Sequence, residues 1–171
     1  MTPYYDDGTI TIYHGDCRKI DAWLSGDAAV MDPPYGMGLS SGRPRARANA
    51  SMGDLRIEND HSTEARDAAL AMWGEKPALV FGRWSVPRPP STRMVLTWEK
   101  GEHVGMGDLS LPWKPNTEEI YVLGSGFEGR RTGSVLRFLA VAGCVGRANT
   151  GERNHPTEKP LDLMRELIAK T

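Results

Sequence analysis

A short apolar run, Ala28 to Met31, stops at Asp32-Pro33-Pro34-Tyr35, and this junction constrains the fold more than any other feature of the chain. A run of this length between turn-forming residues reads as a buried strand. Consecutive prolines lack the amide donors that a sheet ladder needs, so the strand ends where the carboxylate begins. Ligands of open α/β sheets bind outside the carboxyl ends of strands. Asp32 stands at such an end.

The flanking segments point to the same class. Thr9 to Tyr13 reads as a strand, and Asp16 to Leu24 as a helix with Cys17, Ile20, Trp23 and Leu24 at helical spacing behind Asp16 as N-cap. Ser62 to Glu75 predicts a second helix with Ala65, Ala68, Ala69 and Met72 on its inner face. Ala78 to Phe81 and Met94 to Trp98 read as buried strands on either side of a Pro-rich turn, Pro87 to Pro90. Glu119 to Leu123 reads as a further strand, and Leu161 to Ala169 as a C-terminal helix. Trp84, Trp98 and Trp113 are expected to pack rather than to contact bases. This alternation predicts an open α/β sheet with flanking helices. A chain of 171 residues is enough for one domain with a real core, so 1–171 is taken as a single unit. Within it, 36–60 is rich in Gly, Ser, Ala and Arg and reads as a mobile basic loop.

The tetrapeptide suits one kind of chemistry. The nitrogen of an exocyclic amino group is a poor nucleophile because its lone pair is delocalised into the ring. Two acceptors aimed at its two hydrogens favour a tetrahedral nitrogen with a localised pair. The Asp32 carboxylate can be one and the Pro33 carbonyl the other, because Pro33-Pro34 fixes an extended backbone. Tyr35 offers an aromatic face for a base taken out of the duplex, and such stacking is worth roughly 1–3 kcal/mol per base. The plainer alternative is a strand terminator with a structural tyrosine.

Asp32-Pro33-Pro34-Tyr35 resembles the catalytic tetrapeptide of the adenine and N4-cytosine DNA amino-methyltransferases. His155-Pro156-Thr157-Glu158-Lys159-Pro160, with Leu161 and Met164 behind it, resembles the opening of the cofactor-side helix in their permuted, beta group. Gly15-Asp16-Cys17, Trp98-Glu99-Lys100 and Glu118-Glu119-Ile120 also fit that group. The resemblance implies a Rossmann-like methyltransferase sheet, S-adenosylmethionine as cofactor and double-stranded DNA as partner. It implies that Asp32, Pro33, Pro34 and Tyr35 hold the target base, that Asp16 and Asp32 lie near the cofactor, and that Thr157 and Lys159 lie near its methionine end. Taken without the family, Thr157 is an N-cap, Pro160 a first-turn proline and Lys159 one lysine among many. Asp at the first motif position leans toward adenine within the family. N4-cytosine is the nearest alternative, and an RNA or protein amide substrate is a more distant one.

Members of the group continue past this helix into a strand and a Gly-rich turn that carries the cofactor, whereas this sequence stops at Thr171. The expectation is therefore an incomplete sheet lacking its C-terminal cofactor-binding strands. A second chain supplying that motif, a homodimer partner, or a non-catalytic or split-enzyme DNA-binding fragment follow as alternatives. Gly124-Ser125-Gly126-Phe127-Glu128-Gly129 is a formal GxGxxG, but nothing after it opens a helix, and the resemblance places a hairpin turn there.

Net charge is −1, so the whole chain neither favours nor excludes a polyanion, but the charge is unevenly spread. The first 35 residues are acid-rich. Arg43, Arg45 and Arg47 follow the tetrapeptide, and Arg130 and Arg131 open the 126–154 segment, which by resemblance is a short target-recognition insert. These arginines are candidate phosphate contacts; solvated surface charge is the alternative. Cys17 and Cys144 form no metal spacing and no disulfide framework, so no metal is expected. Without an apolar run near the roughly 20 residues of a membrane span, and without a signal-peptide pattern, a cytoplasmic protein is expected.

Overall fold

The computed structural model describes residues 2–38, 57–102, 107–141 and 158–171. It comprises two compact units, one of Met1–Asp27 with Pro34–Gly74 and one of Ala28–Pro33 with Glu75–Thr171.

In the first unit, β1 (Tyr5–Asp6) pairs antiparallel with β2 (Thr11–Ile12), the remnant of the strand expected over Thr9–Tyr13. Asp7 turns the hairpin, its Oδ1 accepting from the amides of Thr9 and Ile10. The helix expected from Asp16 is instead two 3-10 turns, Cys17–Lys19 and Ala22–Ser25. Asp16 does cap the first, accepting from the Arg18 amide. Ile20 breaks the run by going extended to bury its side chain. A segment this short carries little helical stability of its own, so tertiary burial decides.

The helix α1 (Glu64–Trp73) follows Thr63 and buries Arg66, Ala69 and Trp73. Met72, expected on the inner face, is exposed. The inner face is rotated because Trp73 stacks on Trp23, with ring centroids 5.4 Å apart and planes 9° from parallel.

The second unit holds the main sheet: β3 (Ala29–Met31), β4 (Ala78–Gly82), β5 (Met94–Glu99), β6 (Thr117–Leu123) and β7 (Val135–Arg137), in the order β3-β4-β6-β5-β7. β3 is parallel to β4 and β7 to β5, while β6 runs antiparallel between β4 and β5. α2 (Leu161–Ile168) starts after Pro160 and buries Leu163 and Leu167.

β4 is buried along its whole length, as its unbroken apolar run predicts. β3 is only half-buried, contrary to expectation, because among the described residues it is the last strand at its side of the sheet. β5 is half-buried over most of its length, with Met94 exposed and Trp98 buried. β7 lies inside 126–154, where the sequence predicts no strand; only Leu136 of its three residues is buried, too little to show as a pattern. The GxGxxG segment follows β6 and opens no helix, as expected, but it is not the hairpin turn that the resemblance places there, because β7 pairs in parallel with β5 and not with β6. A side chain at Gly124, where φ is +71°, would run into the carbonyls of Glu75 and Lys76. Among the described residues, no helix is long and apolar enough to cross a membrane.

Gly82 ends β4 directly against the ring of Tyr121, which is fully buried and donates its hydroxyl to the Arg83 carbonyl at 3.1 Å. A β-carbon at position 82 has nowhere to go. Gly82→Ala should therefore lower stability by about 1–3 kcal/mol, read as a lower urea midpoint at unchanged m-value.

Candidate functional site

Side chains alternate across a strand, and residues directly opposite in register share a face. Registers Val30↔Leu79, Phe81↔Ile120 and Trp98↔Glu118 therefore place Phe81, Trp98, Glu118 and Ile120 on one face, with Val30 and its period-mate Asp32. β3, β4 and β5 deliver their carboxyl ends to one edge, and antiparallel β6 delivers its first residues there. Asp32, Phe81, Trp98, Lys100 and Glu118 meet at that edge.

Lys159 reaches the same place from just before α2. Its ammonium lies 3.1 Å from Asp32 Oδ1 and 3.2 Å from Glu118 Oε1. The other oxygen of Glu118 takes Lys100 Nζ at 2.5 Å. The four groups form a row, Asp32–Lys159–Glu118–Lys100, in which charge alternates. Beneath it, Lys159 Nζ sits 4.7 Å from the centre of the Phe81 ring, and Lys100 Nζ 5.0 Å from that of Trp98. Phe81 and Trp98 meet edge to face at 81°, and Trp98 Nε1 donates to the Phe138 carbonyl at 2.8 Å. The inner Glu118 and Lys159 side chains are 9% and 11% exposed, while the outer Lys100 and Asp32 are 24% and 39% exposed, so the row is buried at its middle and most open at Asp32.

The tetrapeptide is divided between the two units: Asp32 and Pro33 belong to the sheet unit, Pro34 and Tyr35 to the other. Tyr35 is half-buried. Directly after it the backbone is clamped, because the buried Asp60 carboxylate accepts from the amides of Gly36 at 2.8 Å and Met37 at 3.2 Å. Gly36 has φ +77° and lies against the Ser62 backbone, so glycine is required there.

Asp16 spends its carboxylate locally, with Oδ2 2.7 Å from Arg18 Nη2. Arg130 and Arg131 are exposed. Arg43, Arg45, Arg47 and Thr157, like His155 and Pro156, lie outside the described residues. Of the three tryptophans expected to pack, only Trp98 does; Trp84 and Trp113 are 71% and 76% exposed. Trp84 stands in the connection after β4 and Trp113 in the connection between β5 and β6, where core composition gives no guide. From sequence, Glu118 and Lys100 stand out only as parts of a strand pair. An open depression of about 220 Å³ lined by Thr132, Leu136, Arg137 and Glu166 lies beside β7, at the opposite side of the sheet from β3.

Asp7, Asp16, Asp108 and Glu119 are held below the usual carboxylate range. Glu119 is lowered chiefly by its hydrogen bond from Arg88, whose Nη2 is 2.6 Å away. Asp16 is lowered from 3.8 to about 2, first by the Arg18 side chain and then by the Arg18 amide. A depressed carboxylate adds stability that is complete above its unfolded value and is lost as pH falls through its folded one. Titration of the Asp16 carboxyl carbon by NMR should have its midpoint near 2, moving back toward 3.8 in Arg18→Ala.

No protein-family model and no curated protein matches this chain. Among solved structures, the crystal structure of an M1.HpyAVI–SAM complex is similar over 92% of this chain and 75% of that one, at 18% identity and a TM-score of 0.52. The likeness is one of fold, and it agrees with the α/β, Rossmann-like sheet with flanking helices expected from the sequence.

Proposed function

We propose that this protein is an S-adenosylmethionine-dependent DNA methyltransferase of the permuted amino-methyltransferase group, acting on the exocyclic amino group of adenine. One observation carries the reading. The aspartate of the first motif and the lysine of the second, far apart in sequence, are 3.1 Å apart at the carboxyl edge of the sheet. Two unrelated surface motifs have no reason to share an ion pair. The similar solved structure is a complex with SAM, which supports the choice of cofactor.

The residues at the edge fit that cofactor by charge. S-adenosylmethionine is a sulfonium cation with an amino-acid end, and the row offers carboxylates for an ammonium and ammonium groups for a carboxylate. Lys159 is the described residue that would hold the carboxylate of the methionine end. When bound, the cofactor supplies an electrophilic methyl group. The chain's own part is to present the nucleophile. Asp32 and the Pro33 carbonyl accept from the two amino hydrogens, and Tyr35 covers the base. The proton released on N-methylation leaves through Asp32, whose side chain is 39% exposed and open to water. Lys159 beside it holds the carboxylate in place, which suits an acceptor aimed in advance.

Incubation of duplex DNA with methyl-labelled cofactor, followed by digestion to nucleosides and mass analysis, tests the reaction. Label on adenine N6 is expected; label on cytosine N4 alone refutes the choice of base. Calorimetry that finds no cofactor binding while DNA binding is intact refutes the catalytic reading. Asp32→Ala should keep the fold and lower transfer by about 100-fold or more. Removing both Arg130 and Arg131 should weaken DNA binding alike for all sequences. The log–log salt dependence should become shallower by about 0.9 for each phosphate that is no longer neutralised.

A further inference from the structure

Glu118 lies outside the tetrapeptide, outside the second motif and at the start of a strand, yet it is the most buried charged group of the row. Each of its oxygens meets a different lysine, Lys100 at 2.5 Å and Lys159 at 3.2 Å. A lysine on a flexible stem does not hold one geometry by itself. The Lys159 ammonium is fixed because carboxylates flank it and the Phe81 ring lies under it at 4.7 Å. Of those carboxylates, Asp32 is partly in solvent, whereas Glu118 is anchored by the β6 register opposite Trp98. Glu118 is therefore the fixed member from which the row is built, and Asp32 is the end that is aimed.

We propose that Glu118, backed by Lys100, is the positioning residue of the Asp32 centre. It pins the Lys159 ammonium, and Lys159 in turn fixes the rotamer of Asp32 toward the amino group to be methylated. The row also has no net charge, since two carboxylates balance two ammonium groups. Loss of Glu118 leaves two lysines with one carboxylate, and the excess positive charge disfavours a cationic cofactor. The inference deepens the methyltransferase reading and rests on it for the role of Asp32, but the link from Glu118 to Lys159 is a property of the protein alone.

The variant Glu118→Gln keeps shape and removes charge. In the full chain without cofactor or DNA, the Lys159 side-chain ammonium should give a resolved nitrogen–proton signal, assigned by its absence in Lys159→Met, and Glu118→Gln should lose it. In turnover, Glu118→Gln should lower kcat by about 100-fold, with KM for DNA unchanged within about threefold. The double variant Glu118→Gln/Lys159→Met should be no slower than Lys159→Met, because Glu118 acts through that lysine. Glu118→Asp should recover part of the activity. If Glu118→Gln does not fold, the charge-balanced Glu118→Gln/Lys100→Gln takes its place, with the same effects expected. A Lys159 signal that survives removal of Glu118, or additive effects in the double variant, overturns the proposal. A wild-type chain that transfers no methyl group refutes the function and not the Glu118–Lys159 link, which the ammonium signal decides without turnover.

Discussion

The reversed strand β6 is the constraint on which the site depends. Because it runs against β4 and β5, its first residues, rather than its last, reach the edge where the other strands end. A parallel strand in that place would bring apolar Val122 and Leu123 to the edge and send Glu118 to the far end of the sheet. Register completes the effect: Glu118 opposite Trp98 and Ile120 opposite Phe81 share one face, and period-2 alternation sends Glu119 and Tyr121 to the other. Two adjacent glutamates thus acquire separate lives. Glu119 pairs with Arg88 on one side, and Glu118 joins the lysines on the other.

Such a row is costly to assemble. Removing charges from water carries a penalty that an ion pair repays only with good geometry and further partners. Alternation supplies those partners, since each inner member touches opposite charges on two sides. The aromatic floor adds a contribution of its own, because the faces of Phe81 and Trp98 are attractive to the ammonium groups above them. Buried ion pairs are often no better for stability than apolar replacements of the same volume. Their presence at a strand edge is more readily explained by what they orient than by what they stabilise.

Much of the fold is legible in the sequence, and the limits have physical causes. The abrupt change from Ala28–Met31 to Asp32-Pro33 locates β3 and its carboxyl end, because prolines leave a strand no way to continue. Asp16 is readable as a cap, since a side-chain acceptor two residues before an amide is local chemistry. The helix behind it is not, because whether Ile20 goes extended depends on neighbours remote in sequence. The same holds for the burial of Trp73 in place of Met72, settled by a ring from residue 23. Trp84 and Trp113 look like core residues by type, and only the paths of their connections show otherwise. Within the candidate site, Asp32 and Lys159 sit in motifs that sequence reveals, whereas Glu118 shows there only as part of a strand segment, with nothing to mark its role. Its place comes from strand direction and register, which composition and periodicity do not encode.

The row also bears on how Asp32 can act. A carboxylate has two oxygens and room for several donors. One of them, Oδ1, is taken by Lys159, while the side chain as a whole keeps 39% of its surface in solvent. Asp32 is thus held by Lys159 and at the same time partly open to solvent, the side from which an amino group would come. An acceptor fixed in advance costs no reorganisation when charge develops on its partner, whereas a freely rotating one would have to be ordered first. That is the requirement for drawing electron density onto an aromatic amine while leaving its nitrogen free to attack. The position of the ammonium therefore matters as much as that of the carboxylate, and the strand that holds the ammonium is β6.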